Sequence, residues 1–370
     1  MIVGVLKEIK AEENRVSMTP AAVEMMTVRE HTVLVEAGAG TASGFEDAAF
    51  GRAGASIIET PQEIYERAEM IMRVKEPQPS EYPLLRSGQI YFAYLHLAAS
   101  KQLTRALIKA GTINIAYETI QKANGALPLL TPMSEVAGPM AIQEGAKYLE
   151  MVQGGHGILL GGVPGVDPGT VLIIGGGAVG INAAKKACGV GAKVYVLDIN
   201  LDRLRYLSDV MPNNCHPLMS DPAAIRKLIK EADVVVGCVL VPGSRTPTLV
   251  NRDMLKTMKK GAVLVDVSID QGGCFETSEE TNHSEPIYII DGIIHYAVSN
   301  MPGAVPKTAT LALTNATLPY AVEIANKGWK LAMQENTEIK CGANIVNGKI
   351  TYKGVADAVG LEYTPIESLI

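Results

Sequence analysis

An α/β fold of two doubly wound parallel-sheet domains, with a cleft between them, is what this sequence predicts. Three observations carry the prediction. Short β-branched runs alternate with helical patterns nearly throughout, a glycine-rich turn joins one such run to a helix, and two further glycine-rich connections divide the chain. At 370 residues the chain is long enough for two domains, and 47% hydrophobic residues can fill sizeable cores.

The first half reads as strands IVGVL (2–6), TVLVEA (32–37), MIMRVK (70–75), QIYFAYLH (89–96) and INIAYE (113–118). Helical segments such as PAAVEMM and SKQLTRALIKAG lie between them. The second half reads as VLIIG (171–175), KVYVLD (193–198), DVVVGCV (233–239) and AVLVDVS (262–268). The connection GGHGILLGGVPGVDPG (154–169) precedes this second series and NMPGAVP (300–306) follows it. The stretch TNATLPYAVEIANKGWKLAMQEN then reads as helix. A sheet that ends near residue 300 and is followed by helices implies a discontinuous first domain, 1–133 with 305–370, around a second domain, 134–304, with the cleft between them as the ligand site.

The strongest local motif is VLIIGGGAVG, which contains Gly175-x-Gly177-x-x-Gly180. A lone GxGxxG is weak in a chain with 36 glycines, but this one follows an apolar strand and opens the helix INAAKKACGVGA. A second strand, KVYVL, ends in Asp198. Gly175 permits the tight turn, Gly177 lets backbone approach a pyrophosphate, and Gly180 lets helix and strand pack closely. The helix N-terminus offers N–H groups and positive dipole to phosphates. Asp198 can accept two hydrogen bonds from an adenosine ribose, and its charge would repel a 2′-phosphate. The expected cofactor is therefore NAD rather than NADP, on a Rossmann-like domain. Arg203 reads two ways, reaching the ribose or phosphate or standing as a solvated helix charge. Ligands of open α/β sheets sit at the carboxyl ends of strands. Those ends carry Ser220, Val239, Leu240, Val267, Ser268, Ile269 and Asp270.

The same rule applied to the first half places Lys75 at the end of MIMRVK and His96 at the end of QIYFAYLH, with Arg15 in the loop EENRVSMTP after the first strand. An Arg, a Lys and a His at one rim make a receptor for a small anion with acid/base capacity. Arginine binds a carboxylate bidentately, lysine polarises a second oxygen, and histidine titrates near neutral pH. Each residue alone reads more simply as structural or solvated; it is their common strand-end placement that points to a site. Glu118 ends the next strand and reads as a counter-charge.

The formal charge of −6, without a long basic run, argues against a nucleic-acid partner. The opening MIVGVLKEIK is apolar only briefly and does not read as a signal peptide, and no apolar run reaches the ~18 residues of a membrane span. The five scattered cysteines suggest neither a disulfide framework nor a zinc pair. A soluble, cytoplasmic protein without a membrane partner is the expectation.

Beyond these residue-level readings, the stretches VGVLKEIKAEENRVSMTP, RVKEPQPSEYPLLRSGQIYFAYLHLAAS, PLLTPMSEVAG, GGVPGV, VDVSIDQGGCFE and SNMPGAVPKTAT resemble the alanine dehydrogenase family over essentially the full length. The resemblance implies reversible NAD-dependent oxidation of L-alanine to pyruvate and ammonia, in a homo-oligomer, typically a hexamer. It implies Arg15 and Lys75 as substrate-binding and His96 and Asp270 as the proton donor and acceptor. For NAD it implies Ser134, Ala178, Val179, Asp198, Arg203, Ser220, Val239, Leu240, Val267, Ser268, Ile269, Asp270, Val298, Ser299, Asn300 and Met301. Some members bind magnesium through a Glu and a His four residues on. Here Glu323 is followed by Lys327, so no metal is expected. The nucleotide-binding part of proton-translocating transhydrogenase shares the architecture but has no small substrate to hold. Saccharopine dehydrogenase, more distant, would need a longer site, and a non-catalytic NAD(H)-sensing module would need no cationic strand ends.

Overall fold

The computed structural model describes residues 1–239 and 246–370. The chain divides into two units, Met1–Met133 with Gly303–Ile370, and Ser134–Pro302.

The first unit is built on an eight-stranded sheet of β1 (Ile2–Val5), β2 (Thr32–Glu36), β3 (Ser56–Ile58), β4 (Met70–Met72), β5 (Ile90–Ala93), β6 (Ile113–Ala116), β14 (Ala343–Val346) and β15 (Lys349–Ile350), in the order β15-β14-β6-β5-β4-β1-β2-β3. β1 to β6 pair in parallel, and β14 and β15 add antiparallel at one edge. The inner strands are near-continuous apolar runs because helices cover both faces. Val3, Val5, Met70, Met72, Phe92 and Ile115 fill one face, and Leu34, Ile71, Tyr91 and Ile345 the other. The expected C-terminal helix begins earlier than its pattern suggests, at Pro306, and runs to Glu335. It breaks at Gly328, whose φ of 74° no continuous helix contains.

The second unit carries β7 (Thr170–Ile174), β8 (Lys193–Asp198), β9 (Cys215–Met219), β10 (Val234–Gly237), β11 (Val263–Asp266), β12 (Ile287–Ile290) and β13 (Ile293–Tyr296). Their order is β12-β13-β11-β10-β7-β8-β9, with only β12 antiparallel. Both sheets are thus mixed rather than purely parallel, the antiparallel strands being confined to edges. Within each, six parallel strands follow the 3-2-1-4-5-6 order of dinucleotide-binding folds. The order reverses between β1 and β4 in the first unit and between β7 and β10 in the second. Among the described residues, no helix is long and apolar enough to cross a membrane.

Candidate active site

In the first unit, Arg15 follows β1 and Lys75 follows β4, the two strands that flank the switch point. Ligand crevices of such sheets open there. Arg15 is buried rather than exposed at that end of the sheet. Its side chain is 2% exposed, with Nε donating to Glu13 Oε1 at 2.7 Å, Nη2 to Glu13 Oε2 at 2.5 Å and Nη1 facing Met133 Sδ at 2.9 Å. Burial works against the charge on Glu13, but the Arg15 hydrogen bond and charge outweigh it and hold the carboxyl below its usual range.

Lys75 and His96 lie beyond the ends of β4 and β5 rather than in the strands. The reason is a change of acceptor: from Val74 and from Leu95 onward the backbone N–H groups turn to carboxylates. Glu8 Oε1 accepts from Val74 N at 2.7 Å and Lys75 N at 3.4 Å. Burial pushes Glu8 up although the buried Arg73 guanidinium pairs with it, and Arg73 also pairs with Glu81. Glu118 accepts from Leu95 N at 3.2 Å and from His96 N at 2.6 Å. His96 itself is exposed and left-handed, φ 47° and ψ 40°.

Tyr94 ties these groups together. Its ring stacks on the His96 imidazole with centroids 6.1 Å apart and planes 13° apart, and Lys75 Nζ lies 5.9 Å from its centroid. Its hydroxyl donates to the Leu129 carbonyl. Burial raises the Tyr94 phenol, and the Arg15 charge partly offsets this. Lys75 and His96 therefore meet at one buried ring, and the charge of the buried Arg15 is felt by the same phenol. Tyr94, Glu8 and Glu13 carry no strand-end or motif signal, and sequence reasoning missed them.

In the second unit the glycine turn after β7 behaves as its spacing requires. Gly175 has φ 109°, a region closed to most L-residues. A Cβ at Gly177 would meet nothing within 4 Å, so that face of the turn is open to a ligand. A Cβ at Gly180 would stand 1.9 Å from the Gly175 carbonyl oxygen. The helix Ala178–Gly189 has no side-chain cap at its N-terminus. The donor set and the open cradle fit a pyrophosphate. Gly180→Ala must push helix and strand apart. It is expected to cost about 1–3 kcal/mol of stability and most NADH affinity, read by melting and fluorescence titration.

Asp198 accepts from Gly176 N at 2.7 Å and Asn200 N at 2.8 Å, so it also braces the glycine turn. Arg203 turns to the same loop, donating from Nε to the Gly176 carbonyl and from Nη2 to the Gly177 carbonyl at 3.3 Å. Ser220 N bonds Asp198 O at 2.9 Å, after β9. Ser268 Oγ donates to Val239 O at 2.9 Å, which joins the ends of β10 and β11. Asp266 accepts from Ser268 N, Cys274 N and Ser278 Oγ and so fixes the loop bearing Val267, Ile269 and Asp270. Burial raises its carboxyl despite these donors. Asp270 is exposed, and its Oδ1 receives Asn300 N at 3.4 Å. Val298 and Met301 are buried, while Ser299 N bonds Thr281 O at 3.2 Å. Ser134 lies on the helix Thr131–Tyr148, one turn before Gly138. A Cβ at Gly138 would stand 2.5 Å from Val179 O, so these helices touch by backbone at Val179, and Ala178 precedes it as the first residue of its helix. Leu240 lies outside the described residues. Glu323 and Lys327 pair with each other at 2.8 Å.

The alanine dehydrogenase/PNT N-terminal domain model matches residues 4–137, and the C-terminal domain model of the same description matches 141–353. An alanine dehydrogenase of Methanococcus maripaludis is 54% identical over 371 residues, covering 100% of both chains. One of Bacillus subtilis is 53% identical, covering 100% of this chain and 98% of the relative. A solved L-alanine dehydrogenase superposes with a TM-score of 0.95 at 47% identity, covering 97% of this chain and 99% of the other. A transhydrogenase from Sinorhizobium meliloti superposes with a TM-score of 0.83 at 22% identity over 95% and 100%, a likeness of fold alone. With both domain models matched and relatives above half identity along its whole length, the chain belongs to the alanine dehydrogenase/PNT family.

Proposed function

We propose that the chain is an NAD-dependent alanine dehydrogenase, converting L-alanine, NAD and water reversibly to pyruvate, ammonia and NADH. The observation that carries the reading is the meeting of Lys75 and His96 at Tyr94, with the buried Arg15 following β1 at the same sheet's switch point, in a chain with a dinucleotide-type glycine turn. The transhydrogenase part or a sensing module would have no use for that cationic cluster. In this reading the first unit holds substrate and the second holds NAD.

NAD, when bound, would supply the acceptor for the hydride of the alanine α-carbon. Arg15 binds the alanine carboxylate and Lys75 neutralises and orients the oxygen side of the intermediate. Deamination starts from the neutral amine, so it is favoured in alkaline solution. Water adds to the resulting iminium, and the neutral imidazole of His96 takes a proton from that water. The carbinolamine then collapses, its nitrogen leaving as ammonia once protonated. In amination the imidazolium of His96 polarises the pyruvate carbonyl, and Asp270 is the second proton-transfer group. The Gly175–Gly180 turn and the helix N-terminus hold the pyrophosphate, Asp198 the ribose. Ser134, Arg203, Ser220, Val239, Leu240, Val267, Ser268, Ile269, Val298, Ser299, Asn300 and Met301 complete the cofactor site. The same reading includes a hexameric assembly, checked by sedimentation velocity, and a cytoplasmic location.

The direct test is NADH formation from L-alanine and NAD at alkaline pH. Tight NADH binding with no alanine-dependent turnover would overturn the assignment. Cofactor choice is tested by Asp198→Asn, which keeps one acceptor oxygen for the turn but removes the charge. Charge-assisted hydrogen bonds contribute about 1.5–3 kcal/mol. The NAD/NADP ratio of kcat/KM should therefore fall by about 10- to 100-fold. An unchanged ratio would remove Asp198 from the ribose.

A further inference from the structure

Glu118 is more than a counter-charge to the cations. It sits half-buried in the 3-10 turn Tyr117–Thr119 directly after β6, the parallel neighbour of β5. Its Oε1 accepts from His96 N at 2.6 Å, and both its oxygens lie 3.2 Å from Leu95 N. One carboxylate thus takes the two backbone N–H groups that leave the sheet at the end of β5.

These groups flank an unusual backbone. His96 lies in the left-handed region, φ 47° and ψ 40°, which non-glycine residues enter only when the surroundings impose it. Among the described residues, no hydrogen bond to the imidazole accompanies it. The direction of the ring is therefore set by the backbone at 96 and by stacking on Tyr94, whose own hydroxyl is anchored on Leu129. A carboxylate is suited to this task because it accepts from several N–H groups at once, and such charge-assisted bonds are the strong ones.

We propose that Glu118 is a positioning residue: it holds His96 in the left-handed conformation that aims the imidazole at the substrate. This rests on the reading of His96 as a proton-transfer group. Both Glu118 oxygens are turned to the backbone N–H groups of Leu95 and His96, so in this proposal its contribution passes through His96.

A double-mutant cycle in steady-state alanine deamination tests this, with NADH affinity and melting measured on every variant. His96→Ala should lower kcat by about 10²-fold or more. Glu118→Ala should lower kcat by about 10- to 100-fold, the scale of a misplaced catalytic group, with NADH affinity unchanged. On the His96→Ala background, Glu118→Ala should cause almost no further loss, because residues that act as a unit are not additive. Glu118→Gln keeps an oxygen for His96 N–H and should recover most of the turnover. If Glu118→Ala melts too early to assay, the same cycle with Glu118→Gln carries the test, its smaller loss again vanishing on the His96→Ala background. Equal losses from the Glu118 substitution with and without His96, or near-normal kcat in Glu118→Ala, would overturn the proposal. Near-normal kcat in His96→Ala would instead sink the reading of His96 itself, so the two failures are told apart.

Discussion

His96→Gly is expected to lose about 10²–10⁴ in kcat for alanine deamination while melting no earlier than the unaltered protein. The two halves of that expectation have separate causes. The imidazole is exposed, so its removal leaves little cavity and takes away few contacts. The backbone at 96 has φ 47°, where a Cβ crowds the following carbonyl at about 1–2 kcal/mol. Glycine removes that strain but brings a greater loss of unfolded-chain freedom, and the two effects nearly offset. Turnover depends on the ring alone. Steady-state kinetics beside a thermal melt decide the matter. A variant that melts much earlier yet keeps kcat would make His96 a structural residue. NADH affinity should not move, since the cofactor contacts proposed above are made by other residues.

The same strain explains why the site was only partly legible in sequence. The apolar runs gave away most strands, because burial on both faces leaves near-continuous hydrophobic stretches such as MIM and INIA. Strands without that signature were hard to see. CHPLM forms β9 with a proline in its middle, which only an edge position tolerates. β3 has three residues, and β14 and β15 follow a long helix and return antiparallel to the sheet. Strand ends located Lys75 and His96, and the chain order placed Arg15 after β1. What strand ends do not carry is the identity of the partners. Glu13, Glu8 and Tyr94 acquire their positions from the switch-point order, which brings β1 beside β4 and sets β5 next to them. Glu118 was visible as an acid at a strand end, but its two backbone contacts depend on the left-handed turn at His96, which no residue type there announces. Asp266 is similar: it reads as one more residue of a strand, and only the folded loop shows it anchoring Ser268 and Cys274.

Arg15→Ala is expected to damage both turnover and stability, and pH separates the two. For turnover, the loss of a charge-assisted contact to the alanine carboxylate costs about 1.5–3 kcal/mol, so kcat/KM for alanine should fall by at least about 10- to 100-fold while NADH affinity holds. For stability, the side chains of Arg15 and Glu13 are 2% and 1% exposed. Removing one partner of a buried pair strands the other charge, at about 3–5 kcal/mol. In the unaltered protein Glu13 is held below its usual range. That contribution is present above the unfolded value and is lost as pH falls through the folded one. In Arg15→Ala the hydrogen bonds and charge of Arg15 are gone, and burial of Glu13 is opposed less, the Lys75 charge remaining, so its carboxyl rises. The deficit is then greatest above the raised value and shrinks as acid protonates the stranded group. Melting curves of both proteins across the acid range should therefore converge toward low pH. Arg15→Met combined with Glu13→Gln should regain most of the lost stability without regaining turnover. A gap that stays constant with pH would show that Glu13 is not the stranded charge, and full alanine kcat/KM in Arg15→Ala would remove Arg15 from the substrate site.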